Sequence, residues 1–284
     1  MTTNYTTNEA RVSGVSPKLV DLVRLPAYRT IGRVLRRGRA PRRILILGHM
    51  RAGSTLLSEV IAAHPSVLGF GELFLPVRGP KDLWAIDGKC QLRAGSRTSA
   101  RGEIVLDKLL HDYLSPLDVG ARLRNADTAL LFLVRSPDGS VPSMISTFGF
   151  REKRAVDYYT SRIDTLATMT DSIIPGATSA VTFHDVTERQ DSTLEFLSEH
   201  LRLDPPLTGR FSRSERTTGD RTTNIAQGRI LSSDERSTTD ERTAERPMLS
   251  DDALAECWAS YDRCVEALRR TCAVPPGFAE RAGG

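Results

Sequence analysis

Arg43-Ile-Leu-Ile-Leu-Gly-His-Met-Arg-Ala-Gly-Ser-Thr-Leu-Leu-Ser-Glu-Val-Ile-Ala-Ala63 is a short apolar run, a turn punctuated by two glycines, and a stretch with helical spacing. The run from Arg43 to Gly48 is strand-length and continuously apolar, as expected for a strand buried on both faces. From Gly53 to Ala63, Leu56, Leu57, Val60 and Ile61 fall on one helical face.

The strand–turn–helix unit repeats downstream. Glu103 to Lys108 reads as a second strand, Pro116 to Arg124 as a helix, and Ala129 to Val134 as a strand. Helices are expected over Pro137–Phe148 and 151–173, a strand over Ser179–Phe183 and a helix over Gln190–Leu201. Strands alternating with helices predict an α/β fold, one P-loop-like domain with a central parallel sheet flanked by helices on both faces.

Residues 1–15 read as a mobile polar arm, and 16–284 as the single domain. Within 16–38, Pro26 is expected to separate two short helices. Residues 75–101, rich in Gly, Pro, Arg and Ser, read as a long loop. The segment 209–249 is dense in Thr, Ser, Arg, Asp and Glu and reads as a long polar surface loop. A C-terminal helix is expected over 250–272, capped by Ser250 and stopped by Pro275 and Pro276. Its apolar stripe is Leu254, Cys257, Tyr261, Val265 and Leu268.

Gly48-His-Met-Arg-Ala-Gly-Ser-Thr55 sits where a GxxxxGK[ST] loop would sit, with both glycines in place. Such a turn aims backbone N–H groups and a helix N-terminus at a phosphate. Ser54 replaces the lysine that would reach a γ-phosphate, and Arg51 is the loop's cation. That set suits a phosphate ligand and argues against ATP or GTP hydrolysis. By itself, a tight strand–helix turn also uses glycines for packing alone.

The wider stretch resembles the superfamily of sulfotransferases that use 3′-phosphoadenosine-5′-phosphosulfate (PAPS). It looks like the branch holding carbohydrate, tyrosylprotein and bacterial small-molecule enzymes. In that branch an RSGSTLL motif precedes His-Pro and Gly-Glu. Here Arg51-Ala-Gly-Ser-Thr-Leu-Leu57 precedes His64-Pro65 and Gly71-Glu72, with Ala52 where serine is usual. The resemblance implies that Arg51, Ala52, Gly53, Ser54 and Thr55 hold the 5′-phosphosulfate.

Ala129 to Ser146 resembles the same superfamily's 3′-phosphate site, a strand followed by Arg-x-Pro and a serine. Arg135 and Ser143 stand eight residues apart, as in that motif. An arginine leaving a strand end can grip a phosphate bidentately. A loop arginine paired with Asp138 is the bland alternative. Weaker matches are Ser179 to Leu203, where His184-Asp185-Val186 takes a structural place, and Thr217 to Ile230, where Arg216 or Arg221 would touch the 3′-phosphate.

Sulfuryl transfer needs in-line placement, a base for the acceptor proton, and positive charge at the leaving oxygen. Glu72, which lies 21 residues after Arg51, is the candidate base by resemblance, with His64 a structural turn residue. Lys108 ends its strand after Asp107, where the branch often has Asp-Lys, and with Arg51 would stabilise the leaving phosphate. The implied donor is PAPS and the product adenosine 3′,5′-bisphosphate (PAP). No metal is expected. The acceptor is expected to be a small-molecule hydroxyl, as in a natural product, or alternatively a carbohydrate. A P-loop kinase or NTPase and a non-catalytic nucleotide-binding protein are the competing classes.

The formal net charge of +4 is too small and dispersed to suggest nucleic acid. The four cysteines form no CxxC and no zinc-like spacing, which fits a reduced compartment. Met1 to Ser13 is polar, and no apolar run approaches membrane-spanning length. A cytoplasmic protein that engages no membrane is therefore expected.

Overall fold

The computed structural model describes residues 19–35, 42–77, 79–94, 104–111, 127–173, 178–211, 228–232, 234–235 and 247–280. Five parallel strands form the sheet: β1 (Arg42–Gly48), β2 (Val67–Gly69), β3 (Ile104–Leu109), β4 (Thr128–Val134) and β5 (Thr178–Thr182), in the order β2-β3-β1-β4-β5. Eight helices occur among the described residues: α1 (Leu19–Leu35), α2 (Ser54–Ala62), α3 (Pro80–Ala94), α4 (Pro137–Phe148), α5 (Glu152–Thr170), α6 (Phe183–Glu188), α7 (Gln190–His200) and α8 (Asp251–Thr271).

The α/β architecture is the one expected, with both faces of the sheet buried. Ile44 and Ile46 point into a core shared with Leu57, Ile61, Leu194 and Leu197 of α2 and α7. Leu45 and Leu47 point the other way, toward Ile86, Tyr159, Ile163 and Leu268 of α3, α5 and α8. Every residue of β1 after Arg42 is buried, which is why the run shows no polar alternation.

Several expectations fall. Residues 19–35 form one helix with Pro26 inside it, not two. Pro26 is the eighth of the seventeen residues, inside the helix, where it removes its own i→i−4 bond without ending the helix. The expected loop 75–101 contains α3, which packs closely on α1: a Cβ on Gly32 would meet the Trp84 carbonyl, and one on Gly88 the Tyr28 carbonyl. The glycines and charges that suggested a loop are a helix–helix contact and a buried ion pair, Arg43 with Asp87. Val67–Gly69 adds an edge strand, so the strand expected second in the chain is third.

The α8 stripe holds, with Cys257, Tyr261, Val265 and Leu268 buried. Ser250 precedes it without a side-chain cap; its hydroxyl donates to Glu152 Oε1 at 2.6 Å, tying α8 to α5. The helix ends at Thr271, before the two prolines, because Ala273 pairs with Ser179 at the edge of β5. Asp185 is structural as expected: with Thr182 it closes a capping box on α6.

The start of the polar segment is tied to its middle. Phe211 N donates to Gly228 O and Ile230 N to Gly209 O, and Phe211, Ile230 and Leu231 are buried. The arm 1–15, the helix expected over 116–124 and most of 209–249 lie outside the described residues.

A candidate phosphate-binding active site at the carboxyl ends of β1, β3 and β4

From β1 the chain runs to β2 and β3 on one side, then returns to β4 on the other. Parallel sheets bind ligands at such a reversal, in the crevice beyond the strands' carboxyl ends. The loop 48–55 leaves β1 there and Arg135 leaves β4 there.

Two left-handed residues shape the loop, Arg51 at φ 65° and Gly53 at φ 88°. Gly53 has a second reason to lack a side chain, since a Cβ would lie 2.2 Å from the Phe183 ring. Ala52 and Ser54 are buried, while Gly53 and Thr55 are partly open. Ser54 starts α2, so the backbone N–H groups of the helix's first turn face back into the loop.

Arg51, Arg135 and Ser143 converge. Arg51 Nε donates to Ser143 Oγ at 2.9 Å, and Arg135 Nη1 donates to the Arg51 carbonyl at 3.2 Å. The Arg135 guanidinium also stacks 4.2 Å from the centroid of Phe183. Ser143 was expected to act with Arg135; it touches Arg51, because two turns of α4 carry it back over the loop. Asp138, the bland partner for Arg135, accepts from the Trp258 indole.

Lys108 and Glu72 enter from β3 and from the loop after β2. Lys108 Nζ donates to Thr55 Oγ1 at 3.3 Å. Glu72 is buried, with Oε1 lacking a hydrogen-bond partner and 3.8 Å from His111 Nε2. Burial raises its pKa to about 7; Lys108 pulls it down and Asp107 pushes it up. Asp107 is also raised to about 7 by burial, against the backbone N–H groups of Leu73 and Lys108 that it accepts. His64 is buried, and its Nδ1 accepts from Ser66 N at 3.2 Å, which fits a turn element.

Sequence reasoning missed the residues beneath the loop. Tyr158 OH accepts from Met50 N and donates to Leu110 O; Tyr159 OH donates to Arg135 O. Arg162, 1% exposed, donates to Gly48 O and Leu109 O at 2.9 and 3.0 Å. All three lie on the inner face of α5 and pin the ends of β1, β3 and β4. The polar tips on an otherwise apolar helical face were the available signal. His49 and His111 were missed too. Arg221 and Arg216 lie outside the described residues.

The raised carboxyl of Glu72 predicts a pH-dependent stability. Unfolded glutamate releases its proton near pH 4.3, whereas folded Glu72 keeps it to about pH 7. The folded state binds more protons in that window, so Glu72 costs stability as pH rises through it, by up to about 3 kcal/mol. Buried His49, lowered to about 3, acts in the opposite sense over pH 3 to 6.5. The Glu72→Gln difference isolates the first effect: urea titrations should show the variant's relative stability growing from pH 4.5 to 7, then levelling.

No protein-family model matches the chain, and no curated protein sequence matches it. Among solved structures, the sulfotransferase domain from the curacin biosynthetic pathway is 17% identical and aligns over 79% of this chain and 99% of its own, with a TM-score of 0.50. This chain has the sulfotransferase fold. The sulfotransferase domain of the Synechococcus PCC 7002 olefin synthase is 16% identical and aligns over 77% and 94%, with a TM-score of 0.46. Among the described residues, no helix is long and apolar enough to cross a membrane.

Proposed function

We propose that the protein transfers a sulfuryl group from PAPS to a hydroxyl of a small-molecule acceptor. The observation that carries this is the convergence of two arginines from different strand ends, Arg51 and Arg135, tied together and to Ser143, on a loop with serine at position 54. Two arginines brought in from different strand ends, with no lysine at position 54, fit a nucleotide phosphorylated at both its 5′ and 3′ positions better than a triphosphate chain.

The residues fit PAPS. The N–H groups of 52–55 and the Arg51 side chain would hold the 5′ end; Arg135 and Ser143 would hold the 3′-phosphate. PAPS supplies an activated sulfuryl group: the acceptor oxygen bonds to sulfur as the bond from sulfur to the bridging phosphate oxygen breaks. Lys108 and Arg51 would neutralise charge on the leaving phosphate. Glu72 would accept the acceptor's proton, as its pKa near 7 suits a base at neutral pH. The fold neighbour's place in a biosynthetic pathway favours a small-molecule acceptor over a carbohydrate chain.

Isothermal titration with PAP beside ATP tests the donor. Selective PAP binding supports it; equal or better ATP binding overturns it in favour of a kinase-like protein. Gly139→Ala refines the test. A Cβ there would lie 2.5 Å from Arg135 Nε, the far end of a flexible side chain. Replacing a glycine inside a helix gains up to about 1 kcal/mol. That gain offsets the guanidinium's lost contacts with Arg51 and Phe183, so the variant should stay close to wild type in stability, yet bind PAP about tenfold more weakly as the guanidinium is displaced.

A further inference from the structure

We propose that His49 is a positioning residue that sets the distance between the two phosphate grips, so that the 5′ and 3′ sites act as one unit. The inference rests on the PAPS reading above and adds a role for a residue outside both grips.

His49 follows β1 and is completely buried. Its Nδ1 lies 2.8 Å from the Met50 carbonyl, inside the phosphate loop, and its Nε2 lies 3.1 Å from the Arg135 backbone nitrogen. A carbonyl can only accept and a backbone N–H can only donate. Nδ1 therefore carries the proton and Nε2 is the acceptor, so one neutral imidazole is donor to the loop and acceptor from the strand end. The ring is held edge-on by Tyr159, 5.1 Å between centroids, and Tyr159 OH itself donates to Arg135 O. Burial keeps the ring neutral, which the two hydrogen bonds require. The neighbouring charges facing it are Arg135 and Arg162, both of which disfavour a second proton.

The two bonds are separable by substitution. Asparagine places its amide near Nδ1 and can donate to Met50 O but cannot reach Arg135. Glutamine places its amide oxygen near Nε2 and can accept from Arg135 N but leaves the loop bond unmade.

Calorimetry with adenosine 5′-monophosphate and with PAP reads this directly. The ratio of the two Kd values is the gain from the 3′-phosphate. Wild type should show a large ratio; His49→Asn should lose about tenfold of it, the order expected for one orienting hydrogen bond. His49→Gln should keep the ratio and weaken both ligands alike. A large wild-type ratio unchanged in His49→Asn overturns the coupling role alone. A wild-type ratio near one overturns the PAPS reading and the inference with it. Should a variant fail to fold, nitrogen NMR of wild-type His49 decides: protonated Nδ1 with bare Nε2 supports the coupling, and protonated Nε2 overturns it.

Discussion

Replacing Arg135 with alanine is expected to weaken PAP binding by about 30- to 5,000-fold while changing adenosine 5′-monophosphate binding by no more than about threefold. The first figure follows from removing one partner of a charged, hydrogen-bonded pair, about 2–5 kcal/mol. The selectivity follows from where Arg135 sits. It leaves β4, not β1, and its guanidinium meets the loop at the Arg51 carbonyl, a backbone atom, at 3.2 Å. The main chain that positions it is held independently, by His49 at its N–H and Tyr159 at its carbonyl. Removing the guanidinium therefore leaves the loop's own turn, with Arg51 and Gly53 left-handed, in place. Calorimetry of both ligands on both proteins measures it. Equal losses for the two nucleotides would mean that Arg135 merely buttresses the loop, and no loss would remove it from the site.

Glu72→Gln should lower turnover by about 10²- to 10⁴-fold, the usual worth of a general base, with PAP affinity unchanged. The isosteric amide keeps the volume and removes the proton acceptor. The pH profile gives the sharper signature. As the proposed base Glu72 would act as the carboxylate, and burial holds its pKa at about 7. The kcat/KM of the wild type should therefore rise with pH through about 7 and flatten above, and that rise should vanish in the variant. A profile that keeps its rise near pH 7 in Glu72→Gln would assign the base elsewhere, with His111, 3.8 Å from the carboxylate, the first residue to replace.

The unequal legibility of the site has a physical basis. Loop 48–55 and Arg135 could be picked out because the features that mark them are local: a turn that needs glycine and a cation at a strand end show within a few residues. The partners of those groups left no such mark. Ser143 binds Arg51 across 92 positions, Tyr158 reaches Met50 across 108, and Arg162 reaches Gly48 across 114. No local spacing rule links such pairs. The loop expected over 75–101 failed for the same reason. Glycines and charges disfavour an isolated helix, but Gly88 of α3 lies against α1, and Asp87 of the same helix answers Arg43. Tertiary packing overrode the local preference.

The sequence by itself determined the sheet's parallel character, its two-sided burial and the glycine-marked turn after β1, because continuous apolar runs between amphipathic helices permit little else. Only the tertiary structure decided that β1 lies between β3 and β4, and hence that the β1 loop and the β4 arginine meet at one crevice. It also decided that Glu72 and Asp107 are buried carboxyl groups with pKa values raised to about 7, and that His49 lies between the Met50 carbonyl and the Arg135 N–H. Those are properties of desolvation and of contacts between distant segments, which exist only once the chain has closed around them.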